Sequence, residues 1–434
     1  MKNVTKWMLA TIAILDATTA TAATDFSLLG TNISLSGFAT AGFAISDQRY
    51  NYQRFLNNDG TFKRDSLFGL QMDAKLTDEF SITVQAKVAP STSSNNGIDP
   101  TLTWAFLSWR PTNDLLFRGG KLRVPLYLNS ANTDIGATFD FARLPSEVYA
   151  AAPTTDINGA MVSKIWNLDA GELTLDGYVG TADAYYRQAA YNYPPLSSGA
   201  SYTPMNMNAY GSVLTFQHDD DIFRIGAHDA YIKFTDGSTL PVTFPFVSIM
   251  PGVGYYQTSK NLPGSGIPEV SVTHTLVYTV AADIALDYGF RITGEYVCRD
   301  MRNISTGPGS QGGYLALLKS FDAWTPYVSV AHLQSMDKTL DLYNQVSRNR
   351  VPNTIPNVAM LNAAQQVGAT SIDTYDQTTV AVGTAYRLNP TSKLKVEWAI
   401  TKIGEASSFI DAPAGELSGN RLINVFSFSY SVVF

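Results

Sequence analysis

Residues 80–88 read FSITVQAKV. In an extended chain successive side chains point to opposite sides, so Phe80, Ile82, Val84, Ala86 and Val88 share one face and Ser81, Thr83, Gln85 and Lys87 the other. One face suits an apolar medium, the other water. Just upstream, Phe68, Leu70, Met72, Ala74 and Leu76 alternate with Gly69, Gln71, Asp73 and Lys75, and only Thr77-Asp78-Glu79 separates the two runs, which predicts a hairpin. The pattern returns far downstream, where Leu394, Val396, Trp398 and Ile400 interleave with Lys393, Lys395, Glu397 and Ala399. Leu286, Tyr288, Phe290 and Ile292 likewise alternate with Asp287, Gly289, Arg291 and Thr293, which predicts a strand across that segment.

Alternation alone would also suit a soluble sandwich, so the connections decide. Tight polar turns are expected at 77–79, 111–114, 169–171, 219–221, near Ala282-Asp283, at 322–323 and at 389–392. Between them lie long segments rich in Gly, Pro, Asn and Ser, at 46–63, 90–99, 125–158, 181–206, 233–267, 300–312, 337–373 and 404–420. Short turns on one side and long loops on the other are the layout of an all-β, transmembrane, antiparallel up-and-down β-barrel with periplasmic turns and extracellular loops. Hairpins at seven turns, with a first and a last strand, give about sixteen strands, an even number as single-chain bacterial barrels require. That many strands enclose a lumen too wide for side chains to fill. A soluble all-β adhesin or sugar-binding sandwich is the competing reading.

Composition narrows the function. Only 15% of the 434 residues are charged and 12% are aromatic, and no apolar run reaches the ~18 residues of a spanning helix. With 30 basic and 37 acidic side chains the net charge is -7, which argues against binding nucleic acid. Cys298 is the single cysteine and cannot form an internal disulfide, and His218, His228, His274 and His332 lack metal-ligand spacing, so no metal or other cofactor is expected. Lys2 and Lys6, an apolar stretch from Trp7 to Leu15 and small residues up to Ala22 read as a signal peptide over 1–22. A single barrel would then occupy 23–434, with net charge -8.

The last strand sets Phe426, Phe428, Tyr430, Val432 and Phe434 against Ser427, Ser429, Ser431 and Val433, and the chain ends on Phe434. A terminal aromatic closing such a strand, with Tyr430 on the same face, resembles the signal by which the barrel-assembly machinery recognises its clients. In order of strand and loop lengths the whole mature chain resembles the Gram-negative porin superfamily, the trimeric general-diffusion channels in particular, although the acidic-glycine motif of the enterobacterial constriction loop is missing. The resemblance implies an outer-membrane homotrimer surrounded by lipid and lipopolysaccharide, passing small polar solutes and ions without catalysis. It also implies that the third loop, about 125–158, folds into the lumen. That loop carries Asp134, Asp140 and Glu147, and Arg118, Lys121 and Arg123 precede it on the fifth strand. A bulge at Gly119-Gly120 would bring all three bases to the lumen side. Alternation sends Lys87, Arg224, Arg291, Arg387 and Lys395 inward, with Asp73, Asp287, Glu295 and Glu397; that acids on the loop face bases on the wall is what the porin resemblance implies, since spacing does not show which strand opposes the loop. The bland alternative makes the loop a solvated surface segment, against which Phe139, Phe141, Leu144 and Tyr149 argue.

Two other functions compete. A substrate-selective channel would use a track such as Tyr185, Tyr186, Tyr191 and Tyr193 in the fourth loop. A barrel enzyme would need a base beside a nucleophile; His228 and His274 fall on neighbouring strands, but no G-x-S-x-G accompanies them. Gly307, Gly309 and Gly312 fit G-x-G-x-x-G, yet a strand follows where the phosphate-binding motif needs a helix. Trp104, Trp398, Tyr288 and Tyr296 are expected on the outer aromatic girdles, and Cys298 outward near the external rim.

Overall fold

In the computed structural model, which describes residues 23–28, 31–190, 199–411 and 418–434, sixteen antiparallel strands close into a barrel. They are β1 (Thr31–Ser46), β2 (Leu67–Lys75), β3 (Phe80–Pro90), β4 (Ile98–Thr112), β5 (Leu115–Arg123), β6 (Asp156–Leu168), β7 (Gly171–Ala190), β8 (Gly199–His218), β9 (Asp221–Phe234), β10 (Val272–Ala285), β11 (Phe290–Met301), β12 (Ser310–Lys319), β13 (Trp324–Ser335), β14 (Tyr375–Asn389), β15 (Ser392–Ser407) and β16 (Arg421–Val433). Each strand pairs with its neighbours in sequence, and β16 closes on β1 through Phe38↔Val433 to Ser46↔Val425. Closure leaves no open edge, so the backbone groups of the wall pair within it, as a lipid environment demands. A short segment, Thr24–Leu28, pairs with the start of β1 beyond the end of β16. The expected signal peptide lies outside the described residues.

The seven short turns occur, with one displaced. Strand β10 runs through Ala282 and Asp283 to Ala285, and the turn falls at 286–289, where Tyr288 adopts φ 60°. The alternation over 286–293 therefore crosses a turn, Asp287 belongs to that turn and not to the lumen wall, and Tyr288 is an exposed tip. The fourth loop is also shorter than expected. Strands β7 and β8, 20 residues each, carry Tyr185 and Tyr186 well past the ~9–11 residues a membrane needs, while Tyr191 and Tyr193 lie outside the described residues.

Leu70, Val88, Leu107, Val179, Leu315 and Val382 point outward and are exposed, as lipid-facing residues must be. Trp109 stacks between Phe80 and Phe117 near the short turns, and Trp324 meets Tyr386 at 4.6 Å, forming an aromatic belt on that rim. Trp398 and Tyr296 are exposed outward, and Cys298 shares the face of Tyr296. Trp104 is the exception. Thr103 is an extra residue between the pairs Gln85↔Trp104 and Ala86↔Leu102, and this bulge turns the indole inward against Arg123.

On the opposite rim the loops fold over the mouth. Tyr52 and Leu56 of the first loop pack on Ile403, Ile423 and Val425. In the seventh loop two helices, α1 (Asp337–Arg348) and α2 (Val358–Thr370), meet Phe244 of the fifth loop through Leu342, Tyr343, Val346 and Ala369.

Candidate functional site

The third loop, residues 124–155 between β5 and β6, lies inside the barrel and divides its inner wall into two kinds of surface. Val124, Leu126, Tyr127, Phe141, Val148 and Ala151 of the loop pack into one cluster with inward residues of the wall, among them Met161, Tyr178, Met207, Val297, Tyr314, Leu318 and Tyr327. Phe141 meets Tyr327 at 5.0 Å and Tyr314 at 5.9 Å, both edge to face. Opposite, β2–β4 carry a polar ladder. Gln71 and Thr83 donate to Asp73 at 2.7 and 2.6 Å, Gln85 to Gln71 at 2.9 Å and Thr103 to Gln85 at 2.8 Å. Toward the short turns, this side opens into a cavity of about 870 Å3 bordered by Asp73, Thr83, Ser108, Arg110 and Arg118.

The loop acids reach bases on the wall. Asp134 accepts Lys87 at 2.6 Å and Arg123 at 2.9 Å, and Arg123 also holds Asp156 at 2.7 Å. Burial alone would raise the Asp134 carboxyl; the two cations outweigh it and hold it below its ordinary value. Asp140 bridges Lys393 at 2.7 Å and Arg291 at 3.2 Å, from β15 and β11. Glu147, 2% exposed, has no cation within ion-pair distance among the described residues and accepts instead from Thr379 at 2.5 Å and Gln377 at 2.8 Å on β14. Its carbonyl lies against Gly312 of β12, where a Cβ would overlap it. The formal glycine motif thus marks a close approach of loop to wall.

Three further wall bases hold loop carbonyls. Lys395, 1% exposed, donates to Phe141 O at 3.0 Å and to Gly136 O, and lies 4.0 Å from the Phe139 ring centre. Arg224 donates to Tyr127 O at 2.7 Å and Arg299 to Ala151 O at 2.6 Å. Glu295 accepts from Tyr149 at 2.5 Å and from the Leu128 amide at 2.8 Å, while Glu397 accepts from Tyr327 at 2.7 Å. Arg143, which sequence reading passed over, pairs with Asp65 of the first loop. Arg387 is exposed near a short turn, bonded to Asp322 O at 3.0 Å.

The bases before the loop separate. Pairing runs through Gly119 and Gly120 without a register shift on either side, so the expected bulge is absent. Arg118 faces the lumen, 5.7 Å from the Phe106 ring centre, whereas Lys121 lies opposite Ala105 and Asn158 on the outer face. Arg123, the last residue of β5, turns in with the departing chain. At the seam, Phe434 exchanges backbone bonds with Gly37 and stacks near Phe68; Tyr430 shares the outward face of Phe426 and Phe428.

The histidines form no dyad. His228 points inward, bonded to Tyr178 at 2.8 Å, while His274 is outward beside Asp229 and Tyr231. No group of His, Cys, Asp and Glu among the described residues could hold a metal ion.

No family model matches the chain, and no curated protein is similar to it. Solved structures are. A loop-deletion mutant of OmpT, an outer membrane protein of Vibrio cholerae, superposes with TM-score 0.51 at 11% identity, covering 93% of this chain and 99% of that one. OprB of Pseudomonas putida gives TM-score 0.51 at 10% identity over 93% and 94%. At such identities the likeness concerns the fold. Together with the closed sixteen-stranded wall, the fold shared with these outer-membrane proteins is a closed antiparallel β-barrel.

Proposed function

We propose that the barrel is a water-filled channel through which small hydrophilic solutes and ions diffuse passively, with residues 134–147 of the third loop forming its narrow zone and no catalytic step. The observation that carries this reading is the split inner wall. A sixteen-stranded barrel is too wide for its side chains to fill. Here the loop fills the apolar half, leaving a polar path beside β1–β5 with its 870 Å3 cavity. Asp134 and Asp140 each contact two bases, while Arg123 also holds Asp156 and Arg291 lies 3.7 Å from Asp283, so acids and bases balance and the narrow zone presents a local field of paired charges that outweighs the acidic total. The outward apolar belt suits lipid, lipopolysaccharide beyond it and the wall-to-wall contacts of a homotrimer; residues 1–22 would direct export and Phe434 assembly.

Single-channel recording of the purified barrel in a planar bilayer under a salt gradient tests the reading. Ohmic steps in groups of three are expected, with a reversal potential that reports the ion preference. A verified barrel that conducts nothing would overturn it.

A further inference from the structure

Beside the third loop, on the side of the long loops, a second cavity of about 250 Å3 lies against β7–β11. Its walls are mainly apolar, with Ile157, Met205, Met207, Ile232, Phe234 and Val277 contributing, polar groups such as Tyr185, Tyr186 and Arg187 lie at its margin, and Leu240, Pro308 and Asp373 of the long loops border it. A dry apolar cavity of ~150 Å3 is enough for benzene, so this one is sized for a single ring with a short substituent.

Three polar groups of the lining each carry a buried atom with no hydrogen-bond partner among the described residues. His228 is 7% exposed; its Nδ1 meets Tyr178 at 2.8 Å, and its Nε2 is buried without a partner. Thr275, 4% exposed, has a buried and unpartnered hydroxyl. Arg299 donates through its terminal nitrogens to Ala151 O and Ser310, and its Nε is buried without a partner. Strand register puts these groups together. His228 pairs with Val277 and Val277 with Arg299, so the imidazole and guanidinium flank one floor residue, two strand spacings or about 10 Å apart at the backbone. Thr275 lies in the next inward row, between Ala230 and Met301. Two acids border this cavity: Asp229, whose carboxylate faces His274 on the outer side, and Asp373, which accepts from Tyr186 at 2.5 Å and forms no ion pair with Arg299.

Buried polar atoms are costly to leave unpaired, and a cation in an apolar cavity more so. The geometry points to a binding site for a small organic anion with an apolar body, a monocyclic aromatic carboxylate, its ring between Phe234, Met207 and Val277 and its carboxylate toward Arg299. Such a site lies off the polar path and adds selective capture to a passive pore. It rests on the channel reading only for the ligand's route of entry.

The test titrates the full-length, detergent-folded barrel with benzoate by calorimetry. Benzyl alcohol supplies the ring without the charge, and acetate the charge without the ring. Saturable one-to-one binding of benzoate is expected, with both controls weaker by about tenfold or more, as a charge-assisted contact implies. Arg299→Gln should weaken benzoate by about tenfold, and Ala230→Leu, which fills the cavity, should abolish binding. Heat-modifiable migration checks that each variant is folded, and Thr275→Val replaces either that is not, with weaker binding expected again. No saturable binding of benzoate, equal binding of benzyl alcohol, or indifference to the folded variants would overturn the site. Conductance without benzoate is recorded alongside. Benzoate binding to a silent barrel would contradict the channel and leave the site standing, whereas a conducting barrel that ignores benzoate would contradict the site alone.

Discussion

The two halves of the inner wall are built from the same strand geometry and do opposite things. Along β6–β13 the inward positions are Met161, Tyr178, Met207, Tyr314, Leu318 and Tyr327, and the third loop covers them with Phe141, Val148 and Leu126. Along β2–β4 the inward positions are Gln71, Asp73, Thr83, Gln85 and Thr103, bonded to one another, with the cavity extending from Asp73 and Thr83. In a barrel of this width the loop has to dock somewhere, and apolar burial decides where. Polar anchors at Asp134, Asp140, Glu147 and Lys395 then fix its orientation.

The largest expected effect comes from weakening the apolar half. Phe141→Ala empties the contact with Tyr314 and Tyr327 and should cost the docked loop about 3–5 kcal/mol. Amide exchange over 124–155 would accelerate, and conductance would rise and become noisy. Unchanged exchange would mean that polar anchors alone hold the loop. Asp134→Asn is next. It leaves Lys87 and Arg123 without their shared carboxylate, a change of about 1–3 kcal/mol, and should shift the reversal potential toward anions. Because the Asp134 carboxyl is held below its ordinary value of 3.8, its anchor persists above that pH and is lost only as the pH falls through the lower folded value. The Asp134 anchor should therefore hold from pH 7 to about 4.

A smaller effect is expected in the seventh loop. Burial pushes the Asp373 carboxyl up to about 6, while Tyr186 and Arg299 pull the other way. A carboxyl that binds its proton more tightly folded than unfolded adds stability as the pH falls from above 6 toward 3.8, and removes it as the pH rises through 6. Comparing melting of wild type and Asp373→Asn at pH 7 and 5 should isolate a gain of about 1 kcal/mol in the wild type at the lower pH. Lys121→Gln, on the outer face, should leave conductance and selectivity unchanged; a shift in reversal potential would return Lys121 to the lumen.

The strands were legible because lipid on one side and water on the other impose a period of two that FSITVQAKV states openly. Where the reading failed, a local backbone choice broke that period without changing composition. Tyr288 enters a left-handed turn within an unbroken alternation, and Thr103 inserts one residue and reverses Trp104. At Gly119-Gly120 the reverse happened, for two glycines permit a bulge without requiring one. The helices of the seventh loop had left a signal in Thr339, Leu342, Tyr343 and Val346, buried at helical spacing. At the loop, residue types announced acids and bases, but only the fold brings Asp140 to Lys393, 253 positions away. That Glu147 is anchored by neutral side chains could not be read, since its partners Gln377 and Thr379 lie on a distant strand.

The division of the wall can be tested by cysteine modification during single-channel recording, with Cys298 replaced by Ser. Thr83→Cys places a thiol on the cavity side and Ala316→Cys one beneath the loop. A charged, membrane-impermeant thiol reagent should lower the current through Thr83→Cys promptly and leave Ala316→Cys untouched. Rapid block of Ala316→Cys with no effect at Thr83→Cys would put the aqueous path on the other side of the loop and contradict the account.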